Sequence, residues 1–395
     1  MPFPQFLIAV AAALFTATAD AVILYRTDLV DENTDAPGMA FPHDGWDFEG
    51  SYGGFLGTPI GLRFFITAKH VSGGTGSVLV FQDALTLDTD SYTAIREYRD
   101  PTSDLVIMEV DKTFPYFAAL YTREDEAGQR IVNIGRGTDR GAPIYYENDP
   151  MQLRGWSHGT ASQTRRWGEN IIASAFNYSP EWDLLVADFD QNGLPNECHL
   201  SGGDSGGAAF IEDGGVWKLA GINFAIDSGF FSQPDGTTGF GGAIFDLRGF
   251  YYASDGGFLQ FDPNSPTPIP TAFYPTRIST KLPWIYSVID PAGDYDSNGR
   301  PNLLDYALKI NAPPPGAWSA PFVAVEGGFV ALTYRKISGA PQLQYQIEKS
   351  FDLATWTAVT AQESVASTTE YVQTIEAKVP VGSSEGFFLR LLITQ

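Results

Sequence analysis

The sequence predicts a mainly β protein. Among its 395 residues are 41 glycines and 26 prolines, and 14% of all residues are aromatic. This composition is typical of many short strands joined by tight turns. No long amphipathic helical period precedes Arg277. The length exceeds that of one domain of ordinary size, so we expect more than one domain.

The first 21 residues have the pattern of a secretory signal peptide. An apolar run over Phe6–Phe15 is followed by alternating small residues, although no basic residue precedes it. Cleavage after Ala19 would leave Asp20 as the first residue, and cleavage after Ala21 would leave Val22. The run is too short for a comfortable membrane span, and no later segment reaches spanning length. We therefore expect a secreted or periplasmic protein with no membrane span.

Charge and cysteine content limit the classes of partner. The formal net charge of −23 argues against nucleic acid or an anionic membrane as a binding partner. Cys198 is the only cysteine, so the chain cannot form an internal disulfide. We expect its thiol to pack in the interior and the protein to be a monomer.

Residues Gly203–Gly207 read GDSGG and predict a turn that presents a nucleophile. The flanking glycines allow a tight turn that pushes Ser205 outward. The same turn would aim backbone amides at the position where a carbonyl oxygen becomes an oxyanion. A serine hydroxyl is a poor nucleophile, so Ser205 needs a general base and a group that orients the base.

The general base must come from a small set of histidines. The chain has four, which are His43, His70, His158 and His199. His70 ends the apolar, β-prone run Phe64–Val71 at a turn of small residues, so its imidazole is expected at a strand end beside a cleft. Asp104 precedes the apolar run Leu105–Met108, which would carry its carboxylate inward beside a partner. We expect that partner to be His70 Nδ1.

The order His, Asp, Ser and the strings around these residues resemble the chymotrypsin-like (trypsin-like) serine proteases. Thr67–His70 resembles the family's TAAH motif, Asp104–Ile107 its D-[IL]-A-L strand and Gly203–Gly207 its nucleophile loop. Beyond the serine, Trp217–Ile222 resembles the W-x-L-x-G-[IV] strand, and Arg277–Ile285 resembles the closing R-[VI]-S…W-I helix. The resemblance spans about residues 22 to 289.

The resemblance implies two six-stranded antiparallel barrels, a short C-terminal helix and a serine endopeptidase that acts on proteins or peptides. Ser205 would attack the peptide carbonyl, His70 would accept its proton and Asp104 would fix the imidazole tautomer. The amides of Gly203 and Ser205 would form the oxyanion hole. An alternative is a catalytically inactive binding module that retains the protease fold.

Two further residues receive roles from the resemblance. The family's acidic residue at the position of Asp204 pairs with a newly exposed N-terminal ammonium, which Val22 would supply after cleavage at Ala21. The family's residue six places before the serine lies at the base of the specificity pocket, and His199 stands there. Because it is not the Asp that selects Lys or Arg, trypsin-like cleavage is disfavoured. His199 would favour an acidic or polar side chain, or it is an ordinary satisfied or surface histidine.

A loop near residue 300 has the ligand pattern of a calcium site. Asp294, Asp296, Asn298 and Asp305 occupy positions one, three, five and twelve of a loop that resembles EF-hand and dockerin loops. Arg300 would add its backbone carbonyl, and a short helix is expected to follow. The sequence therefore predicts a structural calcium ion at this loop.

A related loop at residues 188–196 shares the pattern D-x-D-x-N-G-x-P-N with residues 294–302. It has Glu197 at position ten and His199 at position twelve, where a calcium loop needs a carboxylate. Two interpretations stay open, a different calcium geometry or an Asx-rich turn without metal.

The C-terminal part is expected to fold separately and to lack catalytic residues. We predict a signal peptide at 1–21, a protease domain at 22–290, a calcium loop with a Pro-rich linker at 291–316 and a small β-sandwich at 317–395. The last segment contains alternating apolar runs, such as Gly328–Arg335, and no histidine.

Overall fold

The computed structural model describes most of the chain. The described residues are 22–25, 33–38, 40–146, 149–161, 163–177, 183–254, 256–308, 321–338, 340, 343–369, 372–382 and 386–395. The predicted signal peptide and the predicted Pro-rich linker at 312–316 lie outside them. Two compact units divide the described chain, one within Met1–Glu97 and Asp104–Thr280, the other within Tyr98–Ser103 and Lys281–Gln395.

The strands up to Arg277 are mostly short, as the turn-rich composition predicts. They are β1 (Ile23–Leu24), β2 (Gly50–Tyr52), β3 (Phe55–Gly61), β4 (Phe64–Ala68), β5 (Val78–Gln82), β6 (Thr89–Arg99), β7 (Leu105–Val110), β8 (Ala119–Leu120), β9 (Arg130–Gly135), β10 (Thr138–Tyr146), β11 (Asp149–Ala161), β12 (Arg166–Asn177), β13 (Asp183–Asp188), β14 (Cys198–His199), β15 (Ala208–Asp213), β16 (Val216–Ile226), β17 (Phe230–Phe231), β18 (Gly239–Phe240), β19 (Gly242–Ile244), β20 (Tyr251–Ser254), β21 (Gly257–Gln260) and β22 (Ala272–Arg277). Short 3-10 helices cover His43–Phe48, Lys69–Val71 and Ser279–Lys281.

The first barrel is a closed sheet in the order β2-β3-β4-β7-β6-β5. Side chains alternate between its two faces, and β5 is a clear case because Leu79 and Phe81 are buried while their neighbours are exposed. These two residues meet Phe65, Val106 and Met108 in the barrel core. Burial of the inward apolar face drives closure of the sheet.

The second barrel has the order β15-β9-β12-β13-β22-β16 and closes where β15 pairs with β16. β8 adds a short parallel pairing to β16. Its core includes Ile131, Ile172, Leu185, Ala209 and Phe273, all without appreciable exposure. The predicted strand at Trp217–Ile222 therefore lies within β16. Arg277, the first residue of the segment that resembles the family's closing helix, is the last residue of β22.

Two smaller sheets extend from the second barrel. One has the order β10-β11-β19, and the other has the order β18-β17-β20-β21. They share an aromatic-rich core that contains Phe230, Ile244, Leu247, Phe250 and Phe261. No strand in this part of the chain is predicted from the sequence.

The described residues of the second unit form two helices and two sheets. Its elements are α1 (Leu282–Ile289), α2 (Asn302–Ala307), β23 (Phe322–Glu326), β24 (Phe329–Ile337), β25 (Gln344–Ser350), β26 (Thr357–Ala358), β27 (Gln362–Thr369), β28 (Val372–Pro380) and β29 (Phe388–Thr394). The sheet β23-β24-β28-β27 and the sheet β26-β25-β29 share one core, which Leu332 and Ile347 enter from opposite sides. The predicted fold class is confirmed, with two six-stranded barrels, a short helix and C-terminal β-sheets.

Helix α1 groups with the second unit, whereas the resemblance counts it at the end of the first domain. The reason lies in the loop between α1 and α2. The Tyr286 ring stacks on the Tyr295 ring at a centroid distance of 4.8 Å, and Asn302 Nδ2 donates to the Asp290 carbonyl at 2.8 Å. These contacts fold the loop back on α1 and join the two helices.

Candidate active site

Paired strands bring His70 and Asp104 together. Ala68 at the end of β4 lies opposite Leu105 at the start of β7. Lys69 and His70, which follow Ala68, are therefore close to Asp104, which precedes Leu105. The Lys69 amide donates to the Asp104 carbonyl at 2.8 Å, and the His70 amide donates to Asp104 Oδ1 at 3.0 Å. His70 Nδ1 is 2.5 Å from Asp104 Oδ2. Both carboxylate oxygens are therefore used to hold one residue, His70.

Ser205 lies on the turn between β14 and β15, which packs directly against the first barrel. Gly203 and Gly206 have φ values of 99° and 80°, in the left-handed region that favours glycine. A Cβ atom at Gly206 would lie 2.3 Å from Thr67 Oγ1, so only glycine permits this approach to β4. Ser205 Oγ is thereby brought to 2.8 Å from His70 Nε2.

The three predicted residues form one hydrogen-bonded chain in the order Asp104, His70, Ser205. An ionised carboxylate accepts but cannot donate, so the proton on the ring lies at His70 Nδ1 and Nε2 is left to accept from Ser205. The His70 side chain is 40% exposed and that of Asp104 14% exposed. Asp104 is thus sheltered while the imidazole faces solvent.

Phe224 is a neighbour of the site that the sequence analysis did not identify. Its ring meets the His70 ring edge-on at a centroid distance of 5.9 Å. Phe224 follows two residues after the predicted strand at Trp217–Ile222, and its position near a histidine 154 residues earlier in the chain depends on the packing of the two barrels. Only the tertiary structure reveals this contact.

Two backbone amides of the serine turn are available as donors. The turn uses the amides of Asp204, Gly206 and Gly207, which donate to carbonyl oxygens at 3.0 to 3.2 Å. Across the part of the chain that the structure describes, the amides of Gly203 and Ser205 donate to no acceptor. These are the two amides that the sequence analysis assigns to the oxyanion hole.

Asp204 organises the base of the same turn. Its side chain is buried, with Oδ1 accepting from the Gly137 amide at 2.6 Å and Oδ2 accepting from the Ser201 amide at 2.7 Å. Ser201 Oγ adds a third hydrogen bond to Oδ2 at 3.1 Å. Burial raises the pKa of Asp204 to about 6 even though these hydrogen bonds lower it. The carboxylate therefore ties the turn to two flanking loops at a cost in solvation.

His199 lies in the interior of the first unit with no exposed surface. Its ring is packed edge-on against Phe189 and Phe273, and Nδ1 donates to the Leu200 carbonyl at 2.5 Å. Burial lowers the pKa of His199 to about 3, so the ring is neutral. A ring without exposed surface cannot contact a substrate side chain in this conformation. Its role in a specificity pocket stays a prediction from the sequence.

The other two histidines have different surroundings from His70. His43 Nδ1 pairs with Asp47 Oδ2 at 2.6 Å. His158 is half-buried, and burial lowers its pKa to about 4. Neither is hydrogen-bonded to a serine within the described ranges, so only His70 has the partners of a general base.

The predicted calcium loop brings some of its ligands together. Asn298 Nδ2 donates to Asp296 Oδ2 at 2.7 Å and to Asp305 Oδ2 at 2.6 Å. Asp294 accepts from the Gly299 amide at 2.8 Å, a hydrogen bond that lowers the pKa of Asp294. The loop is followed by α2, the short helix that the sequence predicts there. Its carboxylates therefore converge on the side chain at loop position five.

One contact competes with a metal ion at this loop. Arg300 Nε donates to Asp305 Oδ1 at 2.5 Å. Over the described residues, no three His, Cys, Asp or Glu side chains form a group that could hold a metal. Calcium would need Asn298 to turn its carbonyl oxygen inward and Arg300 to leave Asp305.

The related loop at residues 188–196 is closed by a carboxylate from its own end. Glu197 Oε1 accepts from the Asp190 amide at 3.2 Å, and Oε2 accepts from the Leu194 amide at 3.0 Å. Burial raises the pKa of Glu197 to about 7. Asn192 adopts a positive φ of 67°, as Asn often does in tight turns.

Comparison with known protein families bears on the first unit. Residues 50–222 match the family model of the trypsin-like peptidase domain. The trypsin-like match includes His70, Asp104 and Ser205, and it supports the serine protease resemblance. It does not reach the loop at 294–305 or the C-terminal sheets. Among curated proteins, none matches this chain.

The trypsin-like segment consists of strands and turns rather than long helices. The helices of the described chain are short, and none of them is long and apolar enough to cross a membrane. The three site residues lie at strand ends and turns of the two barrels, since His70 follows β4, Asp104 precedes β7 and Ser205 precedes β15.

Proposed function

We propose that this chain is a secreted or periplasmic serine endopeptidase that hydrolyses peptide bonds through an acyl-enzyme. The observation that carries the proposal is the hydrogen-bonded chain from Asp104 through His70 to Ser205 Oγ. Further support comes from the trypsin-like match, which includes all three residues. A peptide or protein is the substrate class that this chemistry suits.

The proposed reaction begins with attack of Ser205 Oγ on the peptide carbonyl carbon. His70 Nε2 takes the hydroxyl proton as the bond forms, and Asp104 stabilises the imidazolium that results. The amides of Gly203 and Ser205, which have no acceptor of their own among the described residues, donate to the oxyanion. His70 then passes its proton to the leaving amine as the peptide bond breaks. Water repeats the sequence on the acyl-enzyme, releasing the acid and free Ser205.

Labelling with a fluorophosphonate probe tests this proposal. We expect the wild-type protein to react at Ser205 and Ser205→Ala to remain unlabelled, because only a serine activated by a base attacks the probe at a useful rate. Ser232→Ala is a matched control, since Ser232 bonds Thr238 and has no part in the proposed chemistry. A wild-type protein that neither labels nor cleaves an unfolded protein substrate would instead indicate the inactive binding module.

Removal of the residues before Val22 is expected to increase activity. Asp204 is buried with a pKa of about 6, against an ordinary value of 3.8. A raised carboxyl pKa means that the associated stability is present below pH 3.8 and is lost as the pH rises through about 6. Among the residues that the structure describes, Asp204 forms no ion pair, and a free ammonium at Val22 is the cation that the resemblance provides.

Chains that start at Val22 and at Asp20 test this expectation side by side. The Val22 form should have the higher kcat, and its melting temperature should fall less between pH 5 and pH 7. Intact-mass analysis of the exported protein identifies the natural first residue. Equal kcat for the two forms would mean that the hydrogen bonds from Gly137 and Ser201 stabilise the Asp204 carboxylate without an ammonium.

We also propose that calcium binds the loop from Asp294 to Asp305 and stabilises the second unit. An ion that binds only the folded state adds RT ln(1 + [L]/Kd), about 2.7 kcal/mol at a hundredfold excess over Kd. Millimolar calcium should therefore raise the melting temperature, and Asp294→Ala with Asp296→Ala should remove most of that gain. The matched control is Asp188→Ala with Asp190→Ala, which removes two carboxylates from the related loop. A full calcium response in the first double variant and none in the second would assign the ion to the Asp188 loop.

A further inference from the structure

Asn33 is a buried asparagine whose side chain joins distant parts of the chain. It is 2% exposed, and its Nδ2 donates to the Val22 carbonyl at 3.1 Å and to the Trp167 carbonyl at 2.8 Å. Its Oδ1 accepts from Arg166 Nη1 at 3.3 Å. The Trp167 amide also donates to the Asn33 carbonyl at 3.2 Å. Both N–H groups of the amide thus fix Val22 to strand β12.

The two residues that follow Val22 are held by strand pairing and by burial. Ile23 pairs with His199 and Leu24 pairs with Cys198, which makes β1 the partner strand of β14. All three side chains from Val22 to Leu24 are at most 5% exposed. Burial of three aliphatic side chains favours this position of the chain. Burial of apolar side chains specifies the register of a strand, and the contacts of Asn33 add polar bonds that hold the residue before β1 in place.

Strand β14 leads directly to the serine turn. Ser201 follows His199 by two residues, and its amide and hydroxyl both donate to Asp204 Oδ2. The Thr138 amide donates to Ser201 Oγ at 2.5 Å, which fixes Ser201 from the other side. A shift of β14 would move Ser201 and withdraw both donors to Asp204 Oδ2, on the residue before Ser205.

We propose that Asn33 is a positioning residue for peptide hydrolysis, acting through β1 and β14 on the turn that carries Ser205. The inference rests on the proposed function of that turn. Asn suits the position because Nδ2 supplies two N–H groups to two carbonyl oxygens while Oδ1 accepts from Arg166. An Asp would retain the bond to Arg166 but would turn acceptor oxygens toward the carbonyls of Val22 and Trp167.

Kinetics of Asn33→Asp and Asn33→Ala test the inference. We expect kcat to fall at least about tenfold, the equivalent of one to two lost buried hydrogen bonds. KM should change by less than about threefold, because the substrate does not contact Asn33. The rate of fluorophosphonate labelling should fall in parallel with kcat. Asn33→Asp preserves the side-chain volume, so it covers the case in which Asn33→Ala fails to fold.

Asn302→Ala is the matched control, since Asn302 is also 2% exposed and also holds a backbone carbonyl, that of Asp290. It should lower the melting temperature without changing kcat. An unchanged kcat in Asn33→Asp would overturn the inference, and so would an equal loss of kcat in Asn302→Ala, which would indicate general destabilisation. Failure of the wild-type protein to hydrolyse peptides or to label would instead contradict the proposed function.

Discussion

His70→Ala should lower kcat by about 10⁶, and Ser205→Ala should lower it by a similar factor. The two side chains share one hydrogen bond of 2.8 Å and act on the same proton, so neither retains its function without the other. The double variant should therefore be no slower than either single variant. Initial rates on a peptide ester and on an unfolded protein measure all three.

His43→Ala is the matched control for this measurement. His43 also pairs with an aspartate, Asp47, at 2.6 Å, but Ser205 is not among its hydrogen-bond partners. We expect its kcat to stay close to that of the wild-type protein. Substantial turnover in His70→Ala would show that another group accepts the Ser205 proton, and the role assigned to His70 would be wrong.

Asp104→Asn should lower kcat by about 10⁴. The carboxylate now accepts at both oxygens, from the His70 amide and from His70 Nδ1. The amide of Asn has only one oxygen, and if that oxygen stays with the His70 amide, Nδ2 donates to Nδ1. The imidazole proton then moves to Nε2, which can no longer accept from Ser205. The geometry would be preserved while the tautomer is wrong.

Rates measured across neutral and alkaline pH check this result. Asp111→Asn is a suitable control, because its Oδ1 also accepts a backbone amide, that of Thr93 at 2.9 Å. The control should retain the wild-type kcat. Asp104→Asn with wild-type kcat would mean that another group orients the imidazole.

The parts of the fold that the sequence predicted are those with local signals. The strings around His70, Asp104 and Ser205 each combine an apolar strand with a turn, and the antiparallel register of β4 and β7 then decides that the first two meet. Alternation along Gly328–Arg335 predicted a strand, and the structure has one there, β24 (Phe329–Ile337). The small sheet β18-β17-β20-β21 beside the second barrel gave no such signal. Strands of two residues, such as Phe230–Phe231, are too short to have a period.

The missed contacts of the site span long stretches of sequence. Asn33 and Trp167 are 134 residues apart, and nothing near either one indicates the other. The loop at 294–305 differs from this case, because its ligand spacing was predicted from nearby residues while the ion pair between Arg300 and Asp305 was not. The pattern assigns Arg300 a backbone role, whereas its guanidinium binds Asp305. Spacing fixes where a chain turns, and it says little about which long side chains reach back into the turn.

Gly206 packs closely against the first barrel, since a Cβ atom at this residue would lie 2.6 Å from the Leu56 carbonyl oxygen. This packing determines when Ser205 becomes reactive during folding. Ser205 and His70 come from different barrels, so the nucleophile can be activated only once both have formed and docked. Reaction with a fluorophosphonate during refolding should therefore begin with the final docking step and lag behind the recovery of strand structure. The rate at which Ser205 becomes labelled therefore reports when the two barrels dock.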